Sequence, residues 1–261
     1  MGILGLLLEL LVPTLGFAVV GGLVYLLTRA LRFRHQDWTL KNPRVSALWA
    51  IAAVMIWCTA FVGLVGQLFP SEIASPSVRE YDVAEVLTKL AMYAIFVAPS
   101  LLLMWLRKES LAGAGVSKHN LGGSLVVGFV LAAIIVFLSV LGSGRSMGQI
   151  IGGLGVRHFW ALFSYAIVGF GEEFAFRGYL QSRLVIWLGR WRGWGVASVL
   201  MALAHVVSRV VFQGEPAIDA FFSSLSIIPV SLLLGYVMLR TENVVAPALA
   251  HMFADWILTL G

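Results

Sequence analysis

A single cysteine, Cys58, among 261 residues leaves no intrachain disulfide and no multi-cysteine metal site. Cys58 falls inside an apolar run, where it reads as a small core residue. Charge is scarce as well: Asp, Glu, Lys and Arg make up 12% of the chain, against about 25% in ordinary globular domains. There is no Gly-x-Ser-x-Gly, and the one Gly-Ser-Gly, Gly142 to Gly144, falls in a connection, which disfavours a serine nucleophile. The compact His-Glu-x-x-His of the zincins is missing too. No ten-residue segments alternate with period two, which argues against a membrane β-barrel. No long polar stretch provides a soluble domain.

What the chain has is apolar surface: 60% of residues are hydrophobic and the mean hydropathy is +0.93. Runs long enough to cross a hydrocarbon core of about 30 Å recur throughout. Eight are legible, at 3–28, 45–69, 86–106, 124–141, 158–176, 194–212, 221–239 and 244–260. The expectation is an all-α, polytopic membrane protein of about eight transmembrane helices. The first run lacks a basic flank and contains Glu9, so it reads as a retained span and not as a signal peptide.

The net charge of +5 invites a nucleic-acid reading, but the positions of the bases argue for topology instead. Thirteen of the 18 Lys and Arg residues fall on alternate connections: Arg29 to Arg44, Arg107 to Lys118, Arg177 to Arg192, and Arg240. The other connections hold few bases and several acids: Glu72, Arg79, Glu80, Asp82, Glu85, Glu215 and Asp219. By the positive-inside rule, the basic connections are cytoplasmic and both termini lie outside. Tryptophans near the span ends, such as Trp105, Trp191 and Trp256, fit an interfacial belt, and the 27 glycines fit close helix packing. No nucleic-acid partner is expected; the lipid bilayer is.

Ionisable residues at membrane depth are costly, at least about 2.5–3.5 kcal/mol each on insertion scales, and are functional candidates for that reason. Glu172, Glu173, His205, His251 and Asp255 are the set, all in the second half of the chain. At 1.5 Å per residue, Glu172 lies about 6 Å, His251 about 10 Å and His205 about 16 Å from the basic ends of their runs. The three are therefore expected to converge in the cytoplasmic half of the bilayer. Both histidines sit in an Ala-Leu-Ala-His sequence, 202–205 and 248–251, whose alanines allow close packing. Spacing of four places Glu173 with Arg177, and His251 with Asp255, on shared helix faces. If Arg177 neutralises Glu173, the adjacent Glu172, turned by about 100°, is left for general-base work. The other reading of the same residues is a polar network that holds helices together.

Glu-Glu-x-x-x-Arg at Glu172, Glu173 and Arg177, a histidine in the next span at His205, and His-x-x-x-Asp at His251 and Asp255 resemble the CPBP intramembrane proteases. This group holds type II CAAX prenyl endopeptidases and bacteriocin-processing, Abi-type proteins. The resemblance covers residues 158–258. It implies a catalytic region at 158–261 and an N-terminal helical region at 1–157 that is similar only in hydropathy, the two forming one integrated membrane domain. It also implies that Glu172 and His205 activate water while His251 and Asp255 face the scissile carbonyl, with Glu173 and Arg177 in support. Two positions depart from the family pattern: Met201 replaces a usual Phe, and Asp255 a usual Asn. An ionised Asp255 cannot donate to an oxyanion, so it is either protonated or orients His251.

The expected activity is hydrolysis of a peptide bond in a membrane-embedded or lipid-anchored substrate near the cytoplasmic face. A bacterial membrane-protein tail, a leader peptide and a CAAX-like C-terminus all fit, and the Ala/Val/Gly-rich composition favours a bacterial cell membrane. A metal-free mechanism is preferred over a zinc site, whose ligands would be Glu172, His205 and His251. Two other functions use the same cluster, a proton-coupled transporter and a non-catalytic bacteriocin-immunity protein. The absence of matched ionisable residues in the first half argues against the transporter.

Overall fold

The computed structural model describes residues 3–36, 38–68 and 79–260, and only the backbone of residues 3–10 and 12. Glu72 lies outside the described residues, as does the side chain of Glu9. Helices α1 (Ile3–Ala30), α2 (Pro43–Leu68), α3 (Val83–Leu106) and α4 (Leu121–Ser143) make up the first half. A short α5 (Met147–Gly153) then meets α6 (Val156–Glu173) at a bend of 93°. Helix α6 continues without a break through a π-helical segment (Phe174–Gln181) into α7 (Ser182–Leu188). Helices α8 (Arg190–Gln213), α9 (Ala217–Ser224), α10 (Ile228–Thr241) and α11 (Val245–Trp256) complete the second half. No strand occurs among the described residues.

Among the described residues, α1, α2, α3, α4, α8 and the continuous run of α9 into α10 (Ala217–Thr241) are long and apolar enough to cross a membrane, and the bent pair Met147–Gly153 with Val156–Leu188 supplies a seventh candidate. The last apolar run, expected as an eighth span, forms helix only over Val245–Leu260. Sixteen residues rise about 24 Å, less than the hydrocarbon core. The connection ahead of α11 is itself buried, with Glu242 8%, Asn243 0% and Val244 4% exposed. Asn243 Nδ2 donates to the carbonyls of Ser117 and His119 at 3.0 and 2.8 Å, so the polar backbone ahead of α11 is covered by protein.

The fifth run differs more. Hydropathy ended it at residue 176 because Glu172, Glu173 and Arg177 interrupt the apolar pattern, but the helix continues to Leu188. The charges do not stop it because they are paired inside the protein. Arg177 and Arg183, counted from sequence among the cytoplasmic bases, are 2% and 1% exposed and face Glu173 and Glu109. They belong to the interior and say nothing about membrane sidedness.

The remaining basic connections do lie on one face. The α1–α2 and α3–α4 connections meet where Asn120 Nδ2 donates to the Arg34 carbonyl at 2.9 Å, and the α10–α11 turn joins them through the Asn120–Thr241 bond at 3.0 Å. His35 and Glu242 pair at the same place. On the opposite face, Arg157 Nε donates to the Arg79 carbonyl, and Arg145 to that of Leu260.

Three apolar clusters fill the interior, one centred on α2, α3, the π segment and α8, one on α1, α4, α10 and α11, and one on α3, α6 and α11. All three draw on residues from both sides of position 157.

Candidate active site

Helix α6 carries two closely spaced glycines, Gly169 and Gly171, ahead of its paired glutamates, and both permit a close approach. A Cβ on Gly169 would lie 3.0 Å from both the Ala248 carbonyl oxygen and the Met252 nitrogen, so α6 and α11 touch backbone to backbone there. That contact brings the side chains one turn further along α6 up to His251. A Cβ on Gly171 would collide with the Tyr93 ring, so its absence lets α3 lay this tyrosine against α6.

Glu173 is fully buried. One carboxylate oxygen faces Arg177 Nε at 3.3 Å, and the other accepts from His251 Nδ1 at 2.9 Å. Arg177 reaches Ser231 on α10 at 3.3 Å. The i, i+4 pairing expected from sequence is present, with an addition: Glu173 also fixes the orientation of His251. The other ring nitrogen, Nε2, lies 3.4 Å from Asp255 Oδ2 and 4.0 Å from Glu172 Oε2. With one carboxylate at Nδ1 and two at Nε2, the geometry suits a ring bearing hydrogen on both nitrogens.

Glu172, part exposed, points away from Glu173, as its 100° offset requires. Its hydrogen-bond partner is neutral: the Tyr93 hydroxyl donates to Oε1 at 3.0 Å. The Tyr93 ring is held in turn by edge-on contacts with Phe61 and Phe96. Sequence reasoning missed Tyr93 because a tyrosine in an apolar run carries no charge signal, and only the fold brings α3 to α6.

Glu172 and His205 line one cavity of about 130 Å³, enough for several waters, together with Tyr93, Ser208, Lys89 and Cys58. His205 Nδ1 donates to the Met201 carbonyl at 2.8 Å, so its hydrogen is engaged there and Nε2 is left as an acceptor. Lys89 is a second residue that sequence reasoning passed over. It sits one turn from Tyr93, 5% exposed, with Nζ 3.6 Å from Glu85. An ionisable residue inside the third run was the available signal.

The depth of the site differs from expectation. Glu172 stands sixteen residues from each end of the helical run 156–188, near its middle. His205 is fifteen residues from the start of α8 and only eight, about 12 Å, from its end at Gln213. From sequence, α8 began at residue 194 and the site lay toward the basic connections. In the structure the cavity is lined by Val65, Lys89 and Phe212, near the opposite ends of α2, α3 and α8.

Among the described residues, no group of three or more His, Cys, Asp or Glu side chains is arranged to hold a metal. Glu172 and His205 share the cavity, whereas His251 turns its Nδ1 to Glu173 and its Nε2 to Asp255. The zinc triad considered from sequence is therefore not assembled by this geometry, and no step below is routed through a metal.

On the basic face a further polar knot ties the site's helix to the rest. Arg183 donates twice to Glu109 Oε2, at 2.8 and 3.2 Å, while Ser46 and Arg107 occupy Oε1 at 2.8 and 3.0 Å. Burial pushes the Glu109 carboxyl up, but Arg183, Ser46 and Arg107 outweigh it and hold it below the ordinary carboxylate range.

Residues 155–257 match the family model described as "Type II CAAX prenyl endopeptidase Rce1-like". No curated protein and no solved structure matches the chain. Glu172, Glu173, Arg177, His205, His251 and Asp255 all fall inside the matched segment, so the part of the chain that builds this cluster is similar to the Rce1-like type II CAAX prenyl endopeptidases.

Proposed function

We propose that the chain is an intramembrane endopeptidase in which Glu172 and His205 activate water and His251 stabilises the oxyanion. The observation that carries the reading is the separation of the two glutamates: Glu173 is locked between Arg177 and His251, while Glu172 faces a cavity shared with His205. A water there meets two acceptors, Glu172 and the Nε2 of His205. Both of its hydrogens are taken, and a lone pair is free to attack a carbonyl. Glu172 receives the proton as the C–O bond forms.

The tetrahedral intermediate places negative charge on the former carbonyl oxygen. The Nε2–H of His251 is the donor available beside Glu172, and an oxyanion donor is worth about 2.7–4 kcal/mol in characterised enzymes. Asp255 in this reading is ionised and acts through His251: its carboxylate, 3.4 Å from Nε2, supports the positive charge of the ring while the Nε2–H itself is directed at the oxyanion, and Asp255 does not donate. Collapse of the intermediate returns the proton to the leaving amine. The apolar groove of about 650 Å³ beside Tyr93 and Gly171, continuous with α3 and α6, supports a substrate that is itself apolar and membrane-embedded.

The test compares membrane-protein termini in cells carrying the wild-type chain and Glu172→Ala. A set of termini that appears only with wild-type, while both proteins accumulate equally, supports the protease. Identical termini together with lost proton coupling would point to a carrier, and identical termini with undiminished immunity to a bacteriocin would point to a binding protein.

A further inference from the structure

The seam between α1, α8 and α10 lies apart from the polar cluster, and its lining changes along its length. Toward the middle of α1 it is an apolar groove of about 440 Å³, lined by Phe17, Gly21 and Gly22 of α1, Trp194 of α8, and Leu233 and Tyr236 of α10. Past Tyr25, which lines both, it becomes a basic pocket of about 400 Å³ where Arg29, Arg32, Arg34, Arg190 and Arg240 converge. Spacing makes the two continuous. Gly22, Tyr25 and Arg29 are three or four apart on α1, as are Leu233, Tyr236 and Arg240 on α10 and Arg190 and Trp194 on α8, so each helix turns one stripe to the seam.

The pocket gathers positive charge that the protein does not balance. Among the described residues no carboxylate pairs with any of the five guanidiniums, and the acid in the wall, Glu242, is engaged by His35 and by the Gln36 N–H. Arg240 Nε donates to Thr28 Oγ1 at 3.1 Å, with its guanidinium carbon 4.9 Å from the centre of the Tyr25 ring, and Arg190 Nη2 donates to the Leu239 carbonyl at 3.1 Å. Each uses one nitrogen there and keeps its other N–H groups without a partner among the described residues. Arg32 has a φ of 54° just past the end of α1, where the Phe33 N–H closes on the Thr28 carbonyl at 3.2 Å. Glycine is the usual occupant of that position, so an arginine there keeps backbone strain while adding a guanidinium to the pocket.

Guanidinium forks match phosphate oxygens, and an anion relieves the mutual repulsion of five of them. A small anion does not account for the groove. From Thr14 to Tyr25 the groove follows α1 for about 16 Å, the depth of one hydrocarbon leaflet. We propose that the seam binds one anionic phospholipid, its phosphate in the arginine pocket and an acyl chain in the groove over Gly21 and Gly22. The lipid then joins α1 to α8, which carries His205, and to α10, whose Ser231 bonds Arg177.

The full chain in detergent, titrated with phosphatidylglycerol, with phosphatidylcholine of the same acyl chains and with inorganic phosphate, tests this by native mass spectrometry and thermal melting. Retained phosphatidylglycerol and a raised melting temperature with that lipid alone are expected. Two arginines are worth about thirtyfold in affinity for an anionic headgroup, so Arg29→Gln/Arg32→Gln should weaken phosphatidylglycerol binding by about that factor. Neither side chain has a partner among the described residues, so the lipid-free melt of this variant should match wild-type. Gly22→Leu adds a side chain where a Cβ meets open space; it should fill the groove, weaken phosphatidylglycerol binding and leave the lipid-free melt in place. Equal binding of phosphatidylcholine, or undiminished phosphatidylglycerol binding by the arginine variant, would overturn the proposal. So would a full rise in melting temperature from inorganic phosphate with Gly22→Leu unaffected, which marks a free-anion site, or a lipid-free dimer, which marks a second copy as the occupant.

Discussion

Exchanging Glu173 for Gln should damage the protein differently from the same exchange at its neighbour Glu172. Glu173 is fully buried and bonded to Arg177 and His251, so Glu173→Gln leaves the Arg177 guanidinium, 2% exposed, without its counter-ion. Breaking one side of a buried pair costs roughly 3–5 kcal/mol, a drop in melting temperature of about 6–20 °C at this size. Glu172 has a side chain 21% exposed and one hydrogen bond, from Tyr93, which the Gln carbonyl still accepts. Glu172→Gln should therefore melt within about 1 kcal/mol of wild-type while losing the roughly 10²–10⁴-fold that a general base supplies. The double variant Glu173→Met/Arg177→Met separates stability from chemistry. Replacing both members of a buried pair by apolar side chains is often neutral, so it should recover most of the melting temperature. Cleavage should stay low, because Nδ1 of His251 has lost its acceptor. Thermal melts in detergent and the yield of new protein termini are the two readouts. A Glu173→Gln protein as stable as wild-type would refute the account of the buried pair, and a fully active Glu172→Gln would refute the division of labour between the glutamates.

Tyr93→Phe keeps the ring on Gly171 but removes the donor to Glu172; a hydrogen bond to a charged group is worth about 1.5–3 kcal/mol, so cleavage should fall by about tenfold or more with little change in melting. Gly169→Val inserts atoms where even a Cβ lies 3.0 Å from α11 backbone, so it should separate α6 from α11 and abolish both cleavage and native stability, whereas Gly122→Ala, with open space around it, should be silent in both assays. Glu109 has a folded-state pKa below its ordinary value, so the stability it contributes is present above the ordinary carboxylate range and is lost as pH falls through the depressed folded value. Melting followed against pH should show that acid loss in wild-type, and Glu109→Gln should be destabilised by about 3–5 kcal/mol at neutral pH with a flatter acid limb.

Local relations were legible in the sequence. Hydropathy located seven of the eight apolar segments to within a few residues, and spacing of four paired Glu173 with Arg177 and His251 with Asp255. Each follows from the chain's own periodicity, because a helix fixes which near neighbours share a face. Hydropathy failed where charges are neutralised by distant partners. Glu109 lies far from Arg183 in sequence, so nothing along the chain showed that the fifth helix continues to Leu188 or that two of its arginines are interior. The depth estimate for Glu172 inherited that error, since it was measured from a helix end placed twelve residues too early, and that for His205 was measured from a start placed four residues too late.

The sequence by itself determined the helical membrane class, the alternation of basic connections and the identity of the reactive residue types, because composition and short-range spacing suffice for each. Only the tertiary structure decided how those residues are used. Contact between α6 and α11 at Gly169 ties His251 to Glu173, and contact between α3 and α6 at Gly171 gives Glu172 its tyrosine. The packing of α2, α3 and α8 sets the cavity toward the face opposite the basic connections. The α6–α11 and α3–α6 contacts join residues 78 or more positions apart, and helical periodicity carries no information about which helix a given face will meet.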